Sequence, residues 1–181
     1  VAGLTRITER LLALPSEVVG AEDRALFTRI RARIPELPTR PLKDGRCAFA
    51  PARKYAKKCN CEHPEMYCIF PFRLCSFEKP NAEQGRATYE VRTDRLFHGW
   101  SQEELFACYL GMTEEARKHF VNRVLTHVQK KFRWPAYWGP NFNCCPDGDE
   151  GANVQNTLQS MLMQVDGDKI FLLPAWPKDW N

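Results

Sequence analysis

Ser101-Gln102-Glu103-Glu104-Leu105-Phe106-Ala107-Cys108-Tyr109-Leu110-Gly111-Met112-Thr113-Glu114-Glu115 is the stretch on which the reading of the fold turns. Ser101 followed by Glu104 has the form of a capping box, and Leu105, Phe106, Cys108, Tyr109 and Met112 supply the apolar face behind it. Thr113 caps a second helix, with Glu114 and Glu115 in its first turn and Ala116, Phe120, Val124 and Val128 as its buried stripe. The spacing predicts helices over 101–112 and 114–130, joined so tightly that they lie antiparallel as a hairpin.

Similar patterns flank this pair. Leu4, Ile7, Leu11 and Leu14 form one helical stripe that Pro15 ends, and Leu26, Phe27, Ile30 and Ile34 form another that runs to Pro35. Pro35, Pro38, Pro41 and Gly45 then impose a long loop. Within 62–70, Pro64 suits the first turn of a short helix, and Asn81 to Thr93 permits a longer one. Beyond an aromatic, Pro-rich and Asn-rich loop from Phe132 to Pro146, a helix is predicted from Gly151 to Val165. Val154, Leu158, Met161, Leu162 and Val165 mark its apolar face, with Asn153, Gln155, Asn156 and Gln159 opposite. Asp166-Gly167-Asp168 reads as a turn and Lys169 to Leu173 as a strand. Helical hairpins followed by a strand predict an all-α fold over 1–165, of the toroid or solenoid kind. Residues 166–181 then open a β region.

The 181 residues suit one dominant core, and 44% hydrophobic with 27% charged residues disfavours disorder. A net charge of +4, with basic residues clustered only at Arg53, Lys54, Lys57 and Lys58, falls short of a nucleic-acid footprint. No apolar run is long enough to span a membrane. Eight cysteines, at 47, 59, 61, 68, 75, 108, 144 and 145, include no paired C-x2-C knuckles, so no structural zinc is expected and buried thiols are the simpler reading. The chain opens in helical periodicity without an N-cap and stops after a strand-like run, which reads as a fragment or a processed product.

Two segments carry candidate chemistry. Asp147-Gly148-Asp149-Glu150 places three carboxyl groups on a loop entering a helix, just after Trp134, Tyr137, Trp138, Asn141, Phe142 and Asn143. Aromatic faces stack on pyranose rings, Asn side chains bond hydroxyls, and a carboxylate can deprotonate water, so this combination fits sugar hydrolysis. The same acids would equally complement a helix N-terminus while the aromatics pack. Glu62, His63 and Glu65, with Asn60 before them, could transfer protons or bind a polar ligand, or could form an acidic helix start beside a solvated His. A metal set from His63, Cys59 and Cys61 and a nucleic-acid patch around Tyr55 are weaker readings.

The runs Phe132-Arg133-Trp134-Pro135-Ala136-Tyr137-Trp138-Gly139-Pro140-Asn141-Phe142, Pro146-Asp147-Gly148-Asp149-Glu150-Gly151, Thr157-Leu158-Gln159-Ser160-Met161-Leu162-Met163-Gln164 and Ile170-Phe171-Leu172-Leu173-Pro174-Ala175-Trp176-Pro177-Lys178-Asp179-Trp180 resemble the C-terminal part of (α/α)6-toroid glycoside hydrolases. The likeness is greatest to family 95, the α-L-fucosidase family, and to related bacterial six-hairpin glycosidase-like proteins. It spans about residues 20–181, is strongest from 132 onward, and includes Met66-Tyr67-Cys68-Ile69-Phe70-Pro71 within Glu62 to Arg73.

The resemblance implies an inverting glycosidase acting on oligosaccharides or polysaccharides; no cofactor is expected, and the lack of a four-ligand set with zinc spacing predicts no metal. Asp147 falls at the position of a family Asp that helps activate the hydrolytic water, Asp149 at a family Asn, and Glu62 and Glu65 at family histidines. Asp147 is therefore expected to be catalytic, and Glu62, Glu65, Trp134, Trp138, Asn141 and Asp149 to bind substrate. The family's general acid lies upstream of the residues present, so the expected partners include the remainder of the toroid, and neither nucleic acid nor membrane. Secretion or periplasmic location, with a signal further upstream, is the matching expectation. A disaccharide phosphorylase on the same scaffold and a non-catalytic glycan-binding protein remain the alternatives.

Overall fold

The computed structural model describes residues 1–57, 62–95, 101–125 and 149–180. They form two compact units: Val1–Cys75 with Lys79–Val91, and Ser76–Glu78 with Arg92–Asn181.

The first unit begins with helices α1 (Ala2–Leu12) and α2 (Ala21–Arg33), which pack on each other. Arg24 of α2 donates to the carbonyls of Leu12 and Leu14, at 2.5 and 2.7 Å, serving acceptors that the end of α1 leaves open. Glu22 and Asp23 in the first turn of α2 and Arg31 and Arg33 in its last complement the helix dipole. The apolar stripes read from the sequence face inward only in part: Leu11, Phe27 and Ile34 are half-buried, but Leu4, Ile7, Leu14, Leu26 and Ile30 are exposed, whereas Ala2 and Thr8 are buried. What docks is the small and polar side of α1. Gly3 lies where a Cβ would come 2.9 Å from the Phe72 ring, and Arg6 donates to the carbonyls of Phe72, at 2.6 Å, and Arg73.

The stretch expected to be one long loop contains strands β1 (Thr39–Pro41) and β2 (Cys47–Phe49), paired antiparallel with Thr39 opposite Phe49 and Pro41 opposite Cys47. Pro41 is tolerated because it ends a strand in a two-stranded ribbon. Helix α3 (Ala82–Val91) packs on β2, where Thr88 Oγ1 accepts from the Phe49 amide at 2.8 Å and donates to the Gln84 carbonyl at 2.7 Å.

In the second unit, helices α4 (Glu103–Tyr109), α5 (Thr113–Leu125) and α6 (Asp149–Leu162) all contact one another. The α4–α5 turn is a Schellman motif: Gly111, at φ 67°, donates to Cys108 O at 3.1 Å and Met112 to Ala107 O at 2.9 Å. The expected capping box does not form. Gln102 is the N-cap and makes no side-chain cap bond, because Glu103 and Glu104 turn inward to buried arginines. The inner stripe of α5 is Ala116, His119 and Arg123, with Val124 exposed and Phe120 half-buried; Val128 lies outside the described residues. On α6 the buried line is Asn153, Thr157 and Met161, while Leu158 and Leu162 are exposed.

Helix α6 stops three residues before the predicted end. Met163–Asp166 instead form β3, which pairs antiparallel with β4 (Lys169–Leu172) across Gly167 at φ 66°. A two-residue glycine turn between apolar, β-branched runs favours this hairpin over a further helical turn. The all-α expectation, with its helical hairpins as part of a toroid, is therefore corrected: the described chain is mixed, with six α-helices and two small antiparallel sheets.

Candidate functional site

The segment around Glu65 is built as a one-turn 3-10 helix, Pro64–Met66, with Pro64 at its first position as the sequence predicts. The Met66 amide donates to His63 O at 2.9 Å, and Ile69 and Phe70 donate to Met66 O at 2.9 and 3.2 Å. Met66 and Ile69 are fully buried, so the turn is anchored from below. That anchoring fixes the direction of its polar side chains. Glu65 and His63 are both more than nine-tenths buried, with Nδ1 and Oε1 3.8 Å apart. That separation is longer than a hydrogen bond.

Glu65 faces a cavity of about 680 Å³ whose other lining includes Phe49, Pro51, Arg53, Tyr67 and Phe72. Burial raises the Tyr67 phenol above its ordinary pKa, and the carboxylates of Glu62 and then Glu65 raise it further. Tyr67 is therefore a neutral hydroxyl at physiological pH, able to donate as well as accept. The site offers carboxylate acceptors, a phenol, a guanidinium and three aromatic rings around a volume suited to a small polar ligand.

The second unit contains an ionisable cluster of a different kind. Glu103 and Glu104 are 0% exposed, yet each meets an arginine. Arg92 Nε donates to Glu103 Oε2 at 2.6 Å, and Arg123 places Nε 2.5 Å from Glu104 Oε1 and Nη2 3.1 Å from Oε2. Arg123 also donates to Ser101 O, which accepts from Asn153 of α6 at 3.3 Å, so one carbonyl ties α5 and α6 to the start of α4. Burial pushes the Glu104 carboxyl up against the opposing pull of Arg123. It also holds His119 below its ordinary value, the approach of Glu103 opposing that shift in part. The Arg123–Glu104 pair joins α5 to α4, and Arg92 meets Glu103 at the start of α4, so the enclosed charges serve the packing of this unit.

Of the site residues expected from the sequence, Glu65 lies on the cavity and Glu62 is exposed nearby, where its charge acts on Tyr67. Asp149 is the first residue of α6. Asp147, Trp134, Trp138 and Asn141 lie outside the described residues. Sequence reasoning did not assign Phe49, Tyr67 or Phe72 to the site. Tyr67 had a usable signal, two positions after Glu65 in the run that resembles the family, whereas Phe49 sits in a strand that the prolines concealed. Among the described residues no three His, Cys, Asp or Glu side chains converge as a metal-binding group, and no helix is long and apolar enough to cross a membrane. Compared with models of protein families and with curated proteins, the chain matches none.

Proposed function

We propose that this chain contributes the water-activating base and substrate-binding residues of a glycoside hydrolase, α-L-fucosidase-like and inverting, that acts on glycans. The observation that carries the proposal is the buried Glu65 carboxyl on a cavity walled by Phe49, Tyr67 and Phe72. Sugars present hydroxyl donors around the ring edge and apolar C–H patches on its faces. A carboxylate accepts from two hydroxyls at once, and aromatic rings cover the apolar face. About 680 Å³ accommodates one or two sugar units. His63 stands behind Glu65, Tyr67 can donate to a ring or hydroxyl oxygen, and Arg53 adds donors at the rim.

Inversion needs an acid at the glycosidic oxygen and a base that activates water on the opposite face of the sugar. The resemblance assigns the base side to Asp147, with Trp134, Trp138, Asn141 and Asp149 contacting the substrate, and assigns the acid to no residue of this chain. Glu62 and Glu65 are assigned to binding and not to the chemical step. A secreted or periplasmic location is part of the same proposal.

Site occupancy tests the reading. Tyr67 and Phe72 resonances should shift on titration with methyl α-L-fucoside or a fucosylated oligosaccharide, and Glu65→Gln should weaken that binding about 10-fold or more, as expected for losing a charged acceptor. Failure of a panel of glycosides to perturb either ring would remove the cavity from the function.

A further inference from the structure

Cys68 and Cys75 lie in one turn beside the cavity, and Cys68 lines it. Both are buried, at 2% and 0% exposure, and neither is in a disulfide. The main chain brings them together: the amides of Leu74 and Cys75 both donate to Cys68 O, at 2.7 and 2.9 Å. With standard bond lengths, the Cys75 amide places the two Cα atoms at most about 6.8 Å apart, within the span of about 4.4–6.8 Å that a disulfide bridges. Each thiol is at present turned to a local carbonyl, Cys68 donating to Glu65 O at 3.3 Å and Cys75 to Asn81 O at 3.2 Å. Forming a bridge requires rotation about χ1 to turn both sulfurs away from these carbonyls.

Burial, and then the neighbouring Cys75 thiol, raise the Cys68 pKa far above the ordinary range. Little thiolate exists there at neutral pH, so attack on an external disulfide is slow once the unit has folded. A link between them would therefore form while the segment is still open to solvent.

We propose that Cys68 and Cys75 form a structural disulfide when the chain folds in an oxidising medium, closing the turn that carries Phe72 of the cavity wall. The co-reactant is a small or protein disulfide such as oxidised glutathione. One cysteine thiolate attacks it, forming a mixed disulfide and expelling a glutathione thiolate. The second cysteine then attacks the sulfur of the first and expels the other glutathione. In sum the two cysteines lose two protons and two electrons, and one external disulfide becomes two thiols. The bridge removes the Cys68 thiol donor from Glu65 O and limits how far the 68–75 turn can open. This proposal stands apart from the glycosidase reading, since it needs only the two thiols and the turn.

Peptide mapping of the whole chain tests it. The denatured, reduced chain is refolded in a glutathione redox buffer, remaining thiols are blocked with iodoacetamide, and the product is digested with trypsin without reduction. Trypsin cuts after Arg73 inside the ring, so residues 59–73 and 74–86 should travel as one species that separates on reduction, with fragment ions placing the link at Cys68 and not at Cys59 or Cys61. The species should persist in the Cys59→Ser/Cys61→Ser chain and vanish with Cys75→Ser. Recovery of Cys68 and Cys75 as blocked thiols from the refolded wild-type chain, or a link from either to any other cysteine, overturns the proposal. The wild-type map separates these outcomes whether or not the variants fold.

Discussion

Replacing Arg123 with Met should expose how strongly the second unit depends on its enclosed ion pairs. Arg123 is 0% exposed and meets both oxygens of Glu104, itself 0% exposed, at 2.5 and 3.1 Å. At an effective dielectric near 20, charges about 3 Å apart attract by roughly 5 kcal/mol, much of which offsets desolvation. Removing one partner leaves the other's burial uncompensated, a cost of about 3–5 kcal/mol. Loss of the bond to Ser101 O adds less, because Asn153 still serves that oxygen at 3.3 Å. Against a typical total of about 5–15 kcal/mol the variant should lose a fifth or more of its stability, lowering Tm by roughly 6–20 °C. Arg123→Met/Glu104→Met removes both charges and should recover to within about 1–2 kcal/mol of the wild type. Urea titration followed by circular dichroism measures all three proteins. A single-variant cost under about 1 kcal/mol, or a double variant no better than the single, would refute the pairing as a stabilising unit.

Because His119 titrates below 6.5 when folded, the unfolded chain binds the proton more readily, and stability should fall as pH drops through 6.5 toward the folded value. His119→Gln should flatten that slope in thermal melts between pH 5 and 7; an unchanged slope would remove His119 as its source. Glu104 shifts the other way, so the stability its protonated form supplies below about 4.5 is lost as pH rises above that value, and Glu104→Gln should remove this decline. Tyr67→Phe keeps the aromatic wall and deletes the hydroxyl, so calorimetry should show sugar affinity reduced about 2- to 10-fold with ring stacking intact. Asp147→Asn should lower hydrolysis by about 10²–10⁴-fold while sugar binding changes little, and near-normal turnover would move the base elsewhere.

Local signals in the chain translated well into helices. Pro15, Pro35 and Pro64 mark two ends and one start, and Gly111 and Gly167 sit where the backbone needs positive φ. Side-chain direction was less legible. Apolar periodicity pointed to Leu4, Ile7 and Val124 as core, yet those positions are exposed, while Arg123, Glu103 and Glu104 are enclosed. Periodicity weighs each residue alone, and a charge becomes buriable only through a partner distant in sequence, as Arg92 and Arg123 are from the glutamates they meet. The two small sheets were hidden for a related reason, since β1 contains Pro41 and β3 continues the apolar pattern of α6 without a break. In the candidate site, Glu65 was legible from its place in an acidic segment. The rings of Phe49 and Phe72 were not, because only the packing of β2 and the 68–75 turn brings them to that carboxyl.

The central claim, a glycosidase acting by inversion, is tested most directly by the anomer first released. Proton NMR of the protein acting on an α-L-fucosyl substrate in phosphate-free buffer should show the β-anomer appearing ahead of mutarotation. Release of the α-anomer first, a requirement for phosphate with a sugar phosphate as product, or binding without turnover would contradict it.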